Sequence, residues 1–175
     1  QIKRMISPAP MDKKKRKRDI EPITLPPSVP LSKRHRDYLW GRGFDPDLLI
    51  SEWDIKATAV YQEPPLRILV PIYHNRVLLS WQARDITGKS EKKYQFPFGD
   101  QSKSTLYGLD KVRTRDKIIL VEGVFDVWRL GAGRAVAGFG ITLTWEQVRL
   151  LSMFEKVSIL FDSDAEETAV FQFLI

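Results

Sequence analysis

The spacing of apolar positions changes near residue 113, and this change divides the chain into two regions. Before it, LRILVPIY, RVLLSWQAR and KKYQFPFG are rich in β-branched and aromatic residues and are separated by HN and DITGKS, which are typical of turns. These segments predict a small antiparallel sheet. Asn75, in the first turn, tolerates the positive φ that a tight hairpin requires.

The final third alternates apolar runs with segments of helical spacing. KIILVEG, RAVAGFG and KVSILFDSD are apolar runs without polar alternation, whereas VFDVWRLGAG and TWEQVRLLSMF, the latter capped by Thr144, have helical spacing. Strands of this kind are buried on both faces, so the alternation predicts a parallel sheet with helices on each side. We expect residues 158–161 to form a buried strand of this sheet.

Two short helices joined by a glycine turn are predicted within residues 31–54. Ser32 is the expected N-cap of the first, and Pro46 lies in the first turn of the second. The first helix and its turn carry several cations among aromatic residues: Lys33, Arg34, Arg36 and Arg42. This composition suits a single-stranded nucleic acid, although solvation of a helix face explains the charges equally well.

Residues 1–30 combine the basic run MDKKKRKRD with the proline-rich ITLPPSVP, and neither has an amphipathic period. They predict a flexible basic arm followed by a linker. A phosphate-binding arm and a solvated tail are both consistent with this composition, and a nuclear-import signal is a third interpretation.

Composition restricts the chemistry that the chain can perform. The 28 Lys and Arg residues exceed the 22 Asp and Glu residues, and the resulting charge of +6 favours a polyanionic partner such as nucleic acid. Cysteine is absent, and His35 and His74 are the only histidines. Disulfides, thiolate zinc sites, cysteine nucleophiles and histidine-rich metal sites are therefore excluded, and any metal ion must be held by oxygen.

The apolar stretches bear on location. None approaches the roughly 18 residues that span a bilayer, and the N-terminus lacks the apolar core of a secretory signal. A cytoplasmic protein without a membrane partner is the simplest interpretation. The sequence stops at Ile175 within the apolar run AVFQFLI, so we expect a fragment of a longer protein.

Carboxylates follow two strands of the predicted parallel sheet. Glu122 ends the first strand, and Asp162 and Asp164 end the third. Parallel strands end at one edge, where open α/β sheets bind ligands, so these side chains should converge. Converging carboxylates repel one another unless they are neutralised, and a hard cation such as Mg²⁺ is the usual partner.

Residues beside Glu122 extend this candidate site. Gly123 leaves the backbone free to approach a phosphate or an ion closely. Asp126, four positions after Glu122, either joins the carboxylates or only favours the helix N-terminus electrostatically. For Glu166 and Glu167, the helix-terminus interpretation is preferred.

The order of these motifs resembles the Toprim domain shared by bacterial-type primases, topoisomerases and certain nucleases, with VEG at 121–123 and DSD at 162–164. VEGVFDVWRLGAGRAVAGFGITLTWEQVRLL is similar to the DnaG-type primases. YLWGRGFDPDLL, VPIYHNRVLLSWQAR, KKYQFP and LYGLDKV resemble successive segments of that family's catalytic core, in the family's order. The resemblance covers most of the 175 residues.

The resemblance implies an α/β protein in three parts. Residues 1–30 would be the arm and linker, and residues 31–112 an α+β N-terminal subdomain with two short helices and a small antiparallel sheet. Residues 113–175 would be a Toprim domain, a Rossmann-like parallel sheet with flanking helices, incomplete at its C-terminal end.

Site residues follow from the same resemblance. Glu122, Asp162 and Asp164 would hold Mg²⁺, for which Mn²⁺ can substitute, and Asp126 would be a further acidic member of the catalytic group. The basic residues that would face the active-site groove and bind nucleic acid or triphosphate are Arg84, Lys93 and Lys103. Surface solvation is the alternative for all three, and for Lys103 it is the preferred interpretation.

The implied function is that of a DNA primase catalytic core, which synthesises short RNA primers on single-stranded DNA during bacterial or phage replication. Its partners would be the template and ribonucleoside triphosphates, with a replicative helicase and a separate zinc module as further candidates, because the family's cysteine module is absent here. A Toprim nuclease and a non-catalytic single-strand-binding module are the alternatives. The segments between residues 38 and 112 favour a primase, since a stand-alone nuclease would not need them.

Overall fold

The computed structural model describes residues 23–58 and 66–161. The basic run at residues 13–18 and the predicted metal ligands Asp162 and Asp164 lie outside these ranges, as do Glu166 and Glu167.

Two short helices form where the sequence predicts them. Helix α1 spans Lys33–Gly41, and helix α2 spans Pro46–Trp53 with proline in its first turn. The side chain of Asp45 caps α2 by accepting from the backbone N–H groups of the second and third helical residues, at 2.8 and 3.4 Å. Ser32 occupies the N-cap position of α1, but its hydroxyl bonds His35 Nδ1 at 2.7 Å instead of a backbone N–H.

An antiparallel sheet of five strands confirms the prediction for the first region. In spatial order the strands are β1 (Ser28–Val29), β2 (Lys56–Thr58), β3 (Arg67–His74), β4 (Val77–Asp85) and β5 (Tyr94–Gln95). Strand β1 lies within the segment expected to be a linker, so residues 28–29 belong to the sheet. Asn75 and Arg76 form the β3–β4 turn with φ of 51° and 64°, and the carboxylate of Asp110 accepts from both of their N–H groups.

A parallel sheet of three strands confirms the prediction for the final third. Its elements in chain order are β6 (Lys117–Val121), α3 (Val124–Leu130), β7 (Ala135–Ala137), α4 (Trp145–Leu151) and β8 (Lys156–Ile159). Strand β6 is central, with β7 and β8 on either side. Thr144 caps α4 as expected, with its hydroxyl accepting from Gln147 N at 3.3 Å.

Helices α3 and α4 cover opposite faces of this sheet. Alternate residues of β6 and β7 point to opposite sides, so Val121 and Ala137 pack in one apolar cluster with α3, whereas Leu120 and Val136 pack in a second cluster with α4. The expected cover on both faces is thus confirmed.

The expectation that residues 158–161 form a buried strand is wrong for most of the segment. Ser158 is exposed, and Ile159 and Leu160 are 41% and 57% exposed, whereas Phe161 is buried. The physical reason is position: β8 pairs only with β6 within the described residues, so it forms an edge of the described sheet.

The two sheets share one apolar core. Tyr107 and Ala137 exchange backbone hydrogen bonds of 2.9 and 3.0 Å, which join the segment after β5 to β7. The buried Tyr107 ring stacks on Trp53 of α2 at 5.1 Å, and its hydroxyl accepts from Trp128 Nε1 of α3 at 2.9 Å. Residues of α1, α2 and β3 therefore pack in the same cluster as α3 and β7. None of the helices in the described ranges has the length and apolar character needed to cross a membrane.

Candidate functional site

A groove of about 440 Å³ opens where β6 ends and α3 begins. Its lining comes from the C-cap of α1, from β4, from β5 and the residues on either side of it, from residues 122–126 at the end of β6 and the start of α3, and from the loop after β7. It brings together five of the predicted site residues: Arg42, Arg84, Lys93, Glu122 and Asp126. Carboxylates and cations separated by as many as 84 positions in the sequence therefore line one surface.

The carboxylates lie at the C-terminal end of β6. Glu122 is half-buried, and its backbone oxygen accepts from Gly140 N at 2.9 Å, which links the end of β6 to the loop after β7. Asp126 Oδ2 accepts from Gly123 N at 3.2 Å, so this side chain stabilises the start of α3 as one interpretation expected. Asp126 also lines the groove, which keeps the second interpretation open.

Arg84 and Lys93 are held against an aromatic ring. The guanidinium carbon of Arg84 lies 4.8 Å from the centre of the Tyr94 ring, and Lys93 Nζ lies 5.9 Å from the same ring. Arg84 Nε also donates to Tyr38 Oη at 3.2 Å. Burial raises the pKa of Tyr94, although the neighbouring Arg84 acts in the opposite direction. The Arg84 side chain thus has a preferred position before any ligand binds, and Lys93 lies near the same ring.

Arg42, just after α1, is the third cation of the groove. Its guanidinium carbon lies 5.0 Å from the centre of the Phe125 ring of α3. Arg36 instead pairs with Asp47 at 2.9 Å, and Arg34 lines a separate groove with Asp37 and Lys89. Of the three arginines predicted in and after α1, the structure therefore places only Arg42 beside the carboxylates.

Lys103 does not line this groove. Its ammonium donates to the carbonyl oxygens of Gly138 and Thr142 at 2.9 and 2.8 Å, and burial lowers its pKa. These bonds support a third interpretation, in which Lys103 holds the loop after β7, and its role in phosphate binding stays a prediction.

Sequence reasoning missed the buried Arg67, the first residue of β3. Its Nη1 donates to Ala83 O at 3.0 Å, and its Nη2 donates to Ser90 Oγ at 2.7 Å and to Lys92 O at 2.9 Å. Burial lowers the pKa of Arg67, and the nearby Asp85 opposes that effect. The only signal in the sequence was a cation inside the apolar run LRILVPIY, which is also common at a solvated strand end.

The described part of the groove offers oxygen atoms as potential metal ligands. Its lining includes the carboxylates of Glu122 and Asp126 but no imidazole or thiol. In residues 23–58 and 66–161, no group of three His, Cys, Asp or Glu side chains could hold a metal. Leu160 N donates to Leu120 O at 2.9 Å. The described residues therefore end, at Phe161, near the same edge of the sheet as Glu122.

Comparisons with known proteins point to one family. A DNA primase of Synechocystis sp. is 34% identical over 127 aligned positions, which cover 65% of this chain and 20% of that protein. A DNA primase of Aquifex aeolicus is 36% identical over 110 positions, 56% of this chain and 22% of that protein. No family model matches the chain. The chain spans about a fifth of the length of these curated relatives.

Solved structures agree on the fold. The Aquifex aeolicus primase structure, comprising zinc-binding and RNA polymerase domains, matches 81% of this chain and 46% of its own with a TM-score of 0.67 at 24% identity. The structure of a DnaG primase catalytic domain bound to single-stranded DNA matches 81% of this chain and 58% of its own, with a TM-score of 0.66 at 22% identity. The mixed antiparallel and parallel architecture is thus that of primase catalytic cores.

Proposed function

This chain carries a DnaG-type primase domain, and from that premise we propose that it acts as the catalytic core of a DNA primase. It would synthesise short RNA primers on single-stranded DNA during replication. In this nucleotidyl transfer, a 3′-hydroxyl attacks the α-phosphate of a ribonucleoside triphosphate, and pyrophosphate leaves.

One observation carries this proposal beyond the family resemblance. The groove holds Glu122 and Asp126 together with the cations Arg42, Arg84 and Lys93. Nucleotidyl transfer needs both kinds of charge, because carboxylates hold metal ions and cations bind the phosphates of template and triphosphate.

A divalent metal ion, Mg²⁺ or Mn²⁺, would bind at the carboxylates. Glu122 would be its ligand at the end of β6, together with Asp162 and Asp164, and Asp126 is a candidate fourth carboxylate. When bound, such ions lower the pKa of the attacking hydroxyl and neutralise charge on the transferred phosphate and the leaving pyrophosphate.

The chain's own cations would position the substrates. Arg84, oriented by Tyr38 and the Tyr94 ring, would bind a phosphate through its planar guanidinium, and Lys93 would bind a second one as a point charge. Because such contacts release counterions from the nucleic acid, binding should weaken as salt increases.

The partners are inferred from the relatives. One matching structure is a catalytic domain bound to single-stranded DNA, which supports a single-stranded template here, and another includes a zinc-binding domain, which supports a zinc module outside this cysteine-free chain. Ribonucleoside triphosphates follow from the reaction. A helicase partner and a cytoplasmic location remain predictions.

A primer-synthesis assay tests the function. The chain is incubated with single-stranded DNA, labelled ribonucleoside triphosphates and Mg²⁺ or Mn²⁺, and short RNA products are expected. Shortening of the DNA without RNA synthesis would indicate a Toprim nuclease, and DNA retention without either reaction would indicate a binding module. Both outcomes contradict the proposal.

Carboxylate variants locate the reaction. Glu122→Gln, and separately Asp162→Ala combined with Asp164→Ala, should abolish metal-dependent synthesis while DNA retention stays near wild type, because none of these residues is a proposed phosphate ligand. Glu146→Gln on α4, an exposed carboxylate outside the groove, is the matched control and should remain active. Full activity of the aspartate double variant would show that the metal ligands are assigned wrongly.

A further inference from the structure

Two phenylalanines form an aromatic wall in the groove, and the proposed chemistry leaves them unexplained. The rings of Phe96 and Phe139 meet edge to face with their centres 6.3 Å apart, and both residues line the groove with Glu122. Phe96 is 37% exposed, so part of its ring is open to a ligand. We call the Phe96–Phe139 pair the aromatic wall.

Phe139 is held in an unfavourable backbone conformation. Its φ of 58° lies in the left-handed region, which residues with a Cβ seldom adopt and which is stable only when its surroundings fix it. Here Gly138 N donates to Val121 O at 3.3 Å and Gly140 N donates to Glu122 O at 2.9 Å. The Lys103 ammonium donates to Gly138 O at 2.9 Å. These bonds fix the backbone of Phe139 beside the strand end that carries Glu122.

Buried aromatic rings support the wall from behind. Phe139 packs edge to face against Tyr107 at 6.3 Å, and Tyr107 stacks on Trp53 and accepts from Trp128. The wall is thus continuous with the core, and a flat ligand that stacks on it meets a surface already ordered before binding.

The wall lies beside the phosphate-binding cations. Phe96 is two residues beyond Tyr94, whose ring Arg84 contacts, and three beyond Lys93, so one short segment joins half of the wall to Lys93 and to the ring that contacts Arg84. Three extended residues span about 10 Å, which places the Phe96 ring and the Lys93 charge within reach of a single nucleotide.

We propose that the aromatic wall is a nucleobase subsite, on which an unpaired base stacks while its phosphates bind Arg84 and Lys93. This inference rests on the proposed function, because it assumes a nucleotide in the groove. Stacking uses the π-face that every base has, so the subsite accepts all bases and does not read sequence. The base comes either from a free nucleoside triphosphate or from the single-stranded template.

Paired ligands with and without a base test this subsite. ATP is compared with inorganic tripolyphosphate, and oligo-dT with an abasic oligonucleotide of equal length, all in Mg²⁺. Wild type should bind the base-carrying ligand of at least one pair about tenfold more tightly. Phe96→Leu should remove that preference without changing the affinity for the base-free ligand, and the pair that responds identifies the source of the base.

Two further variants make the test specific. Phe139→Leu should reduce the same preference, since it keeps the apolar volume but removes a ring. Phe98→Leu is the matched control, because Phe98 is fully exposed two residues from Phe96 and does not line the groove, and it should bind like wild type. Thermal unfolding of each variant checks that it is folded.

The subsite is refuted by equal wild-type affinity for base-carrying and base-free ligands in both pairs. It is also refuted by an unchanged preference in Phe96→Leu, or by an equal loss in Phe98→Leu. Its failure is distinct from failure of the proposed function. Primer synthesis without a base preference overturns the subsite alone, and a base preference without primer synthesis overturns the primase.

Discussion

Arg67→Lys tests whether one buried side chain sets the positions of the groove's cations. Arg67 bonds the carbonyl of Ala83, which precedes Arg84, and the carbonyl of Lys92, which precedes Lys93. Lysine keeps the positive charge but replaces the guanidinium fork with a single amine.

The magnitude follows from the hydrogen bonds lost. Arg67 donates to three acceptors, and if the amine of lysine satisfies one of them, two lose their partner. A buried acceptor left without a donor costs about 1–3 kcal/mol, and because only the bond to Ala83 is fully buried and the other two are partly buried, about 2–6 kcal/mol is the upper range for the pair. The substitution also removes the Nε of Arg67, which is buried without a hydrogen-bond partner among the described residues, so the net loss should lie near the lower limit, about 2–3 kcal/mol. After a loss of this size the variant remains folded, provided that the wild type has an ordinary free energy of unfolding of about 5–15 kcal/mol.

Two measurements check this expectation. Urea unfolding should show the lower free energy of unfolding. Binding of single-stranded DNA, measured at several salt concentrations, should show a log–log slope reduced by about 1 if one phosphate contact is lost. Arg149→Lys, an exposed substitution of the same kind on α4, is the control and should change neither quantity. Wild-type stability and slope in Arg67→Lys would refute the reasoning.

Three further predictions concern other parts of the fold. Gly133→Ala should lower the free energy of unfolding by about 1–2 kcal/mol, because alanine seldom adopts the φ of 76° found at this position. A steric cost adds to this conformational cost, because the new Cβ would lie 2.9 Å from Lys111 O. Gly43→Ala, with φ of 77° and no atom within 4 Å of the added Cβ, should show the conformational cost alone in the same urea assay, and equal losses would contradict this account. Burial lowers the pKa of His35, so below about pH 6.5 the unfolded chain binds more protons and the free energy of unfolding should fall as pH decreases. His35→Leu should remove that part of the slope in urea titrations between pH 5 and 8, and an unaltered slope would rule out this assignment. Lys103→Met should destabilise the fold by about 1–3 kcal/mol while leaving the salt slope of DNA binding unchanged, and a reduced slope would return Lys103 to the phosphate-binding residues.

Local chemistry made much of the fold predictable. The turn at Asn75, the proline in the first turn of α2 and the Thr144 cap depend on neighbouring residues, and the structure confirms all three. The alternation of apolar runs with helical spacing likewise predicted the parallel sheet and its cover on both faces. The division of the chain at residues 30 and 112 stays a prediction.

Long-range packing decided what the sequence could not show. A cation reads as a surface residue, yet Arg67 is fully buried because the carbonyls around it come from β4 and the segment before β5. Lys103 is fixed by a loop 35 to 39 positions away. The exposure of Ile159 depends on which strands flank β8, and the local sequence pattern does not indicate the order of strands in the sheet.

The candidate site was predictable in part. Strand polarity indicated that Glu122 would lie at the edge of the parallel sheet, and the family resemblance indicated that Arg84 and Lys93 would face a groove; the structure lines one groove with all three. The role of Asp162 and Asp164 remains a prediction. The place of Phe139 in the groove was not predicted. It depends on a positive φ, and in a sequence with glycines on both sides a positive φ would be assigned to a glycine and not to the phenylalanine.

The backbone bridge between Tyr107 and Ala137 has a mechanical consequence. Two units joined by a flexible linker can tilt and change the width of a cleft between them, but here a shared apolar core and paired backbone atoms connect the sheets. These contacts oppose a relative tilt of the two sheets, so the packing of the shared core sets the separation of the described walls of the groove. On the proposed function, a nucleic-acid strand would therefore advance along walls whose separation stays constant.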